Sequence, residues 1–453
     1  MPTREDLMSL VMFFSDTGRM NSAWRLPNSP VEELYTLDLP TRIVQQAERA
    51  KFDAVFFANV IYKSANRIGK HPFSTGYEPL TLLSGLAART TNIGLIATAS
   101  MTFIHPFNLA RFLASVDWLS DGRVGWNAVT SSGGEEHYGI ELPPKATRYK
   151  RADEFMRVVD ALWDAWDDDA VINDRAAGEW TRSDSVHPVD FEGEFFKVQG
   201  QLHMHRSPQG RPVIVQAGQS PEGIKFAARH AEVVFTAQTE LEAAKHFYKE
   251  IKDRAVAEGR DPDSIKVLPG LTPIVAETSQ GAREFRDHLG KYLDLEAGIN
   301  NLSVAMQANL SALDPEKPIP TEMLVKPENA NRNALGASRY DNFYNMAVRD
   351  RLTIREIVMN NDIALGHGFA MGAPGDVADH MQEWFEERAC DGFAIAPVTI
   401  PEGHDSVCNL LIPELQRRGL AKRDYVGKTL RENLGLARPA TGTKRDIDEV
   451  TAL

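Results

Sequence analysis

Asn59, Thr98, Ser100, Asn127, Ser131, Gly218 and Ser220 are small polar residues or glycines, each standing near the C-terminal end of an apolar, strand-like run. The runs are AVFFANV at 54–60, NIGLIATAS at 92–100, RVGWNAVTSS at 123–132 and PVIVQAGQS at 212–220, and a helix-like stretch follows each. Amides and hydroxyls gathered this way can hydrogen-bond a planar heterocycle. AGQSPEG at 217–223 offers a second chemistry. Its glycines permit close backbone approach, and Ser220 before Pro221 opens a helix whose free N–H groups suit a phosphate. An ordinary strand-to-helix turn with a serine cap has the same spelling.

Such residues meet only if the strands run parallel and end on one face, as in a (β/α) barrel. Eight strand candidates occur, beginning with 9–14 and continuing through the four runs above, EVVFTAQ, IKVLPGLTPIVAET and FAIAP at 393–397. Helical periodicity separates most of them: 39–51, 79–89, an apolar face Leu109, Phe112, Leu113, Val116 and Leu119, and a face Phe155, Val159, Leu162, Trp163 and Trp166 within 148–166. Ser220 is expected to cap one helix, the TELE at 239–242 to form a capping box for another, and a further helix to run from 280 to about 296. The alternation predicts an α/β fold, a (β/α)8 TIM barrel occupying 1–437 as a single domain. Long insertions are expected at about 132–148, 167–211 and 298–372, with a hairpin at FEGEFFKVQG and a flexible polar tail at 438–453. No GxGxxG follows a strand, which removes support for a dinucleotide fold.

The formal net charge of −13 argues against nucleic acid and anionic membranes as partners. Two cysteines, Cys390 and Cys408, provide no disulfide framework and lack zinc-site spacing, which fits a reducing cytoplasm. The first residues carry acids and no long apolar run, unlike a secretory signal or a membrane span.

His203 and His205 in QLHMHRSP have strand spacing without a third ligand, and read as a surface hairpin. His105 precedes Pro106 as a helix cap. His137 in GGEEHYG sits in a loop expected to cover the barrel mouth, which makes it a candidate substrate contact; Glu135 and Glu136 beside it read as a solvated loop. Phe13, Trp24, Phe57 and Phe103 are aromatic candidates near the mouth. No GxSxG elbow, Walker loop, HExxH or Cys–His arrangement is present. The chemistry therefore falls to a bound cofactor.

AERAKFDAVFFANV, VDWLSDGRVGWNAVTSS, RYKRADEF with LWDAW, and SPQGRPVIVQAGQSPEG occur in order. Together they resemble the bacterial-luciferase-like flavin monooxygenases, in the branch with nitrilotriacetate, dibenzothiophene sulfone and long-chain alkane monooxygenases, from about residue 10 to about 436. The resemblance implies FMN as FMNH2, O2 as co-substrate, and an NAD(P)H:FMN reductase as partner. It implies a homo-oligomer, dimer or tetramer, and a small organic substrate: aromatic, organosulfur, amine or halogenated, with C–S, C–N or C–halogen cleavage among the outcomes.

Residue by residue, it places Asn59, Thr98, Ser100, Asn127 and Ser131 about the flavin ring. Tyr149, Ala217, Gly218 and Ser220 would lie toward its phosphate. Thr98 and Asn127 then become catalytic candidates, with His137 a third, in place of the histidines that relatives carry. Asn59 stands where an Asp is common. Ser132 stands where some relatives carry His, and RMNSAWR lacks the His that others have near the N-terminus. Two other readings use the same barrel: a deazaflavin (F420)-dependent oxidoreductase, and a non-catalytic flavin-binding protein.

Overall fold

The computed structural model describes residues 6–59, 72, 76–131, 133–330 and 337–442. Eight parallel strands close into a barrel: β1 (Ser9–Phe13), β2 (Ala54–Phe57), β3 (Gly94–Ser100), β4 (Val124–Val129), β9 (Val213–Gln216), β10 (Val233–Thr236), β11 (Lys266–Val275) and β13 (Gly392–Ile395). The β1–β13 and β10–β11 pairings complete the ring. The β/α alternation predicted this architecture correctly. Between β4 and β9 lie two antiparallel hairpins, β5 (Val171–Asp174) with β6 (Glu179–Thr181) and β7 (Val189–Glu192) with β8 (Lys197–Gly200); the second is the FEGEFFKVQG hairpin. A strand absent from the sequence reading, β12 (Gly368–Gly372), pairs with the C-terminal half of β11. Its GFAMG spelling has too little apolar bulk to stand out.

Outside the ring, α3 (Pro106–Leu119) and α4 (Lys145–Trp163) bury Leu109, Leu113, Phe155, Val159 and Leu162 against it. Phe112 and Leu119 were expected on that face; they are exposed at 47% and 64%, so the helix presents a narrower stripe than the apolar residues allow. Two further expectations change. Thr239 does not cap α6 (Leu241–Ala257), since its hydroxyl donates to Asn342 Oδ1 at 3.0 Å and Glu240 stands at the cap without a side-chain bond. The helix expected over 280–296 is broken, with α7 (Ser279–Gly290) ending and α8 (Leu295–Met306) starting anew on the Asp294 cap. Helix α8 then packs with α9 (Ala337–Val348) and α10 (Ile354–Ala364) around Leu302, Met306, Phe343, Ile357 and Val358. The insertion between β11 and β12 thus has its own small core. Ser132 and the tail beyond 442 lie outside the described residues. The start of that tail is anchored, with Arg438 paired to Asp168 at 2.6 Å.

The barrel interior holds Val11, Phe56, Ile96, Val213, Val215, Val233, Phe235 and Leu268. Leu430, on α14 (Leu430–Asn433), enters this core from below. A Cβ on Gly94 would lie 2.4 Å from Leu430 Cδ1, so the start of β3 stays glycine to admit it.

Three buried acids stand one residue before barrel strands. Asp53 Oδ2 accepts from Leu10 N at 2.7 Å, Glu232 Oε2 from Ile214 N at 3.0 Å, and Asp391 Oδ2 from Val267 N at 2.9 Å. Each bond ties the start of a neighbouring strand. Each acid also meets a cation: Lys422 on Asp53, Arg431 on Glu232 at 3.1 Å, and Lys252 on Asp391 at 3.1 Å. Burial opposes ionisation of Glu232, but Arg431 and Arg211 overcome it and hold its pKa at about 2, below the ordinary 4.5. A folded-state pKa below the unfolded one stabilises the fold above about 4.5, and that contribution is lost as pH falls toward about 2. Arg431→Ala leaves a buried carboxylate without its main cation and is expected to cost about 3–5 kcal/mol at pH 7. Denaturant unfolding at pH 7 and pH 3 measures this, and the gap to wild type should narrow in acid as Glu232 takes up a proton.

Candidate functional site

Above the bulky layer of Phe56 and Phe235, the inward residues shrink to Ala58, Ala217, Ala237, Gly270, Ala394 and Ala396. The change of side-chain volume opens a cavity of about 300 Å³ at the C-terminal face of the barrel. This is the end where such barrels place their chemistry. Asn59, Thr98, Asn127 and Ala217 line it, as does Phe13.

Thr98 and Asn127 are adjacent in the β3–β4 register and are 5% and 3% exposed. Asn127 Nδ2 donates to Thr98 Oγ1 at 2.9 Å. That bond leaves the Thr98 hydroxyl proton to donate elsewhere. Asn127 Oδ1 is buried and has no hydrogen-bond donor among the described residues. With the amide so oriented, the pair presents one donor and one acceptor to whatever fills the cavity. A buried amide oxygen left unpaired costs free energy, so this arrangement suits a ligand with an N–H group.

Ser100 and Ser131 do not line the cavity. Their hydroxyls bond each other at 2.7 Å, and Arg148 Nη1 donates to Ser131 O at 2.6 Å. Together they tie the ends of β3 and β4 to the first turns of α4. Ser131 takes φ +34°, so the chain turns sharply as it leaves β4.

Beside the cavity, α5 (Pro221–His230) begins with Ser220 as its cap, the Ser220 hydroxyl accepting from Gly223 N at 3.2 Å. Gln219, rather than Gly218 or Ser220, reaches the cavity lining. Gly218 and Gly223 pack backbone to backbone, since a Cβ on either would lie 3.0 Å from the other's Cα. The Tyr149 hydroxyl lies 3.0 Å from where a Gly223 Cβ would be. Helix N-terminus, paired glycines and a phenol hydroxyl thus meet in a cradle that admits no side chain, at a helix end of the kind that attracts an anion.

His137 is exposed on a short 3₁₀ turn, Glu135–His137, and does not line the cavity. The loop is held by the next residue: Tyr138 stacks on Phe103 with centroids 4.3 Å apart and planes at 5°. The imidazole in the cavity belongs instead to His367, which follows the left-handed turn at Leu365 and Gly366 after α10. A Cβ on Gly270 would lie 2.2 Å from His367 Nδ1, so that glycine makes the seat for the ring. No local pattern marks His367 in the sequence, because it arrives from an insertion and not from a barrel strand. Arg19 also lines the cavity, with its guanidinium 4.7 Å from the centroid of Phe13. Its signal was legible: it lies in SDTGRMNSAW, the polar stretch after the first strand. Phe57 points outward into the helix layer and is fully buried. Neither it nor Trp24 reaches the cavity.

Residues 20–391 match the family described as luciferase-like monooxygenase. The chain belongs to that family. It is 40% identical to N-acetyl-S-(2-succino)cysteine monooxygenase of Bacillus subtilis (strain 168), covering 97% of this chain and 99% of the relative. It is 38% identical to nitrilotriacetate monooxygenase component A of Aminobacter aminovorans, covering 95% and 97%. The crystal structure of a riboflavin lyase with modified FMN and riboflavin superposes with a TM-score of 0.79 at 28% identity, covering 98% and 99%. The recognised resemblance and the barrel are both borne out, and the enzyme class is monooxygenase. Among the described residues no helix is long and apolar enough to cross a membrane.

The cradle gives a direct check on its own role. Gly223→Ala drives a methyl group to 3.0 Å from the Tyr149 hydroxyl and against Gly218. If this turn holds a ligand's phosphate, an overpacking cost of about 1–3 kcal/mol is expected to weaken binding of FMN used as a probe, measured by fluorescence quenching. Unchanged affinity would show that the turn holds no phosphate.

Proposed function

We propose that this chain is the oxygenating component of a two-component, FMNH2-dependent monooxygenase acting on a small organic substrate. The observation that carries the reading is the Thr98–Asn127 pair, buried at the wall of an apolar cavity that adjoins an anion cradle. A flavin mononucleotide has that composition: a planar heterocycle with N–H and C=O groups, and a phosphate on a short chain. The residues present fit it. Asn127 Oδ1 would accept from the ring, and Asn59 would lie near. Tyr149, Gly218, Ser220 and the N-terminus of α5 would hold the phosphate.

Bound FMNH2 supplies the two electrons that leave one atom of O2 in the product and the other in water. The chain supplies the rest. Phe13, Phe56, Val129 and Phe235 exclude water from the reacting face. The Thr98 hydroxyl is a fixed donor where negative charge develops on oxygen, and Asn127 fixes its direction through the 2.9 Å bond. His367 is the cavity's titratable group and is the candidate to hold or move a proton there.

A separate NAD(P)H:FMN reductase would supply the reduced cofactor, in keeping with a relative named as a component A. We extend the proposal to a dimer or tetramer in the cytoplasm. The monooxygenases among the relatives favour FMNH2 with O2 over the deazaflavin and flavin-storage readings.

Thr98→Ala and Asn127→Ala are each expected to lower product formation roughly 10²–10³-fold, as for removal of an aimed hydrogen-bond donor, while FMN still binds. Product is followed by mass spectrometry for a gained oxygen or a lost heteroatom group, with reductase, FMN and O2 present. Normal turnover by both variants would sink the assignment. Product from reduced deazaflavin without O2 would move the enzyme to the other class.

A further inference from the structure

We infer that Gln216 is a further residue of the anion cradle, its side-chain amide donating through Nε2 to the flavin phosphate; this rests on the proposal that the cradle holds that phosphate. Gln216 is the last residue of β9. Val213 and Val215 of that strand enter the barrel core, so Gln216, like Ile214, faces the helix layer. It is 5% exposed there. An amide buried in such a layer costs free energy unless both of its ends find partners. One end has its partner, since Gln216 Oε1 accepts from Gly218 N at 2.7 Å. That bond also fixes which end is which, because only the oxygen can accept. The Nε2 group is left without a hydrogen bond among the described residues.

The unused end lies at the cradle. A Cβ on Gly218 would lie 2.3 Å from Gln216 Nε2 and 3.0 Å from Gly223 Cα. A Cβ on Gly223 would lie 3.0 Å from Gly218 Cα and 3.0 Å from the Tyr149 hydroxyl. The amide and the phenol therefore border the same pair of glycines. The backbone of this turn offers fewer donors than its spelling promises. Gly218 N is spent on Gln216, Gly223 N on the Ser220 hydroxyl at 3.2 Å and Ile224 N on Ser220 O at 2.8 Å, while Pro221 has no N–H. Lys145, at the start of α4, is paired with Glu222 of α5 at 2.8 Å. A phosphate in this place has correspondingly more need of neutral side-chain donors, and hydrogen bonds to a charged acceptor are the stronger kind. Gln216 thereby acts at both ends: Oε1 orients Gly218, and Nε2 meets the anion.

The test is fluorescence titration of the full chain with oxidised FMN and with riboflavin, which lacks the phosphate. It compares wild type, Gln216→Met and Gln216→Glu. The methionine keeps the length and removes both ends of the amide. The glutamate keeps an acceptor for Gly218 N and puts an anion in place of the donor. Wild type should bind FMN more tightly than riboflavin. Gln216→Met should weaken FMN binding roughly ten- to a hundredfold, and Gln216→Glu more. Riboflavin affinity should move less than about twofold in both, which also shows that the variants fold. Wild-type FMN affinity in either variant would overturn the proposal. So would an equal loss of FMN and riboflavin, which assigns Gln216 to the support of the fold or of the ring site. A larger loss in Gln216→Met than in Gln216→Glu would reduce Gln216 to an acceptor for Gly218 N and overturn it too. Equal binding of FMN and riboflavin by wild type defeats the phosphate reading of the cradle, and binding of neither defeats the flavin reading. Both outcomes are read on wild type alone, and the proposal falls with them.

Discussion

The barrel depends on three carboxylates buried at the N-terminal ends of its strands. Asp53, Glu232 and Asp391 each accept the N–H of the second residue of a neighbouring strand and so set where that strand begins. A parallel ladder has no hairpin to set its register, so something outside the ladder has to. An ionised acid is a strong acceptor in that place, but its burial is costly unless a cation follows it in. Lys422, Arg431 and Lys252 do so from helices and loops outside the ring. With these strand starts fixed below, their ends fall at fixed heights above. On β3 and β4, Thr98 and Asn127 meet in register at 2.9 Å.

The site is then made by subtraction. An eight-stranded ring has an interior of limited width that side chains must fill. Below, Phe56, Phe235 and Ile96 fill it; above, alanines and Gly270 do not. A cavity of about 300 Å³ is at the lower end of what small-molecule sites use. Its polar atoms are few and come from strand ends on one side and from Arg19 and His367 on the other. The cavity therefore has two chemical walls. One is an amide–hydroxyl pair with an anion cradle beside it, the other a cation and an imidazole around Phe13.

Strand runs and their terminal residues were legible because both are local. A buried parallel strand spells itself as an apolar run, and the residue after it is polar when it meets a cavity or solvent. Asn59, Thr98, Asn127 and Ala217 were readable for that reason. Ser100 and Ser131 carried the same signal, but they lie past Thr98 and Asn127 along the chain, where their hydroxyls bond each other. His367 and β12 were not legible. They come from an insertion whose own core, around Leu302, Phe343 and Ile357, decides where its last turn delivers the histidine. His137 looked suitable by its loop, but it stays exposed while Tyr138 beside it stacks on Phe103. The buried acids were visible as letters before strands; their role emerges only when Lys422 and Arg431, hundreds of positions later, are brought to Asp53 and Glu232.

That distance along the chain has a consequence for biogenesis. Strands β1 and β2 leave the ribosome early, yet Asp53 acquires its counter-ion only when Lys422 has been made, and the core below Ile96 is closed by Leu430, Leu434 and Leu436. A nascent barrel that lacks these residues has an uncompensated acid and an open apolar base. Completion of the fold is therefore tied to the end of translation of this segment rather than to the emergence of the strands. Until then the half-made ring exposes strand edges of the kind that chaperones shield.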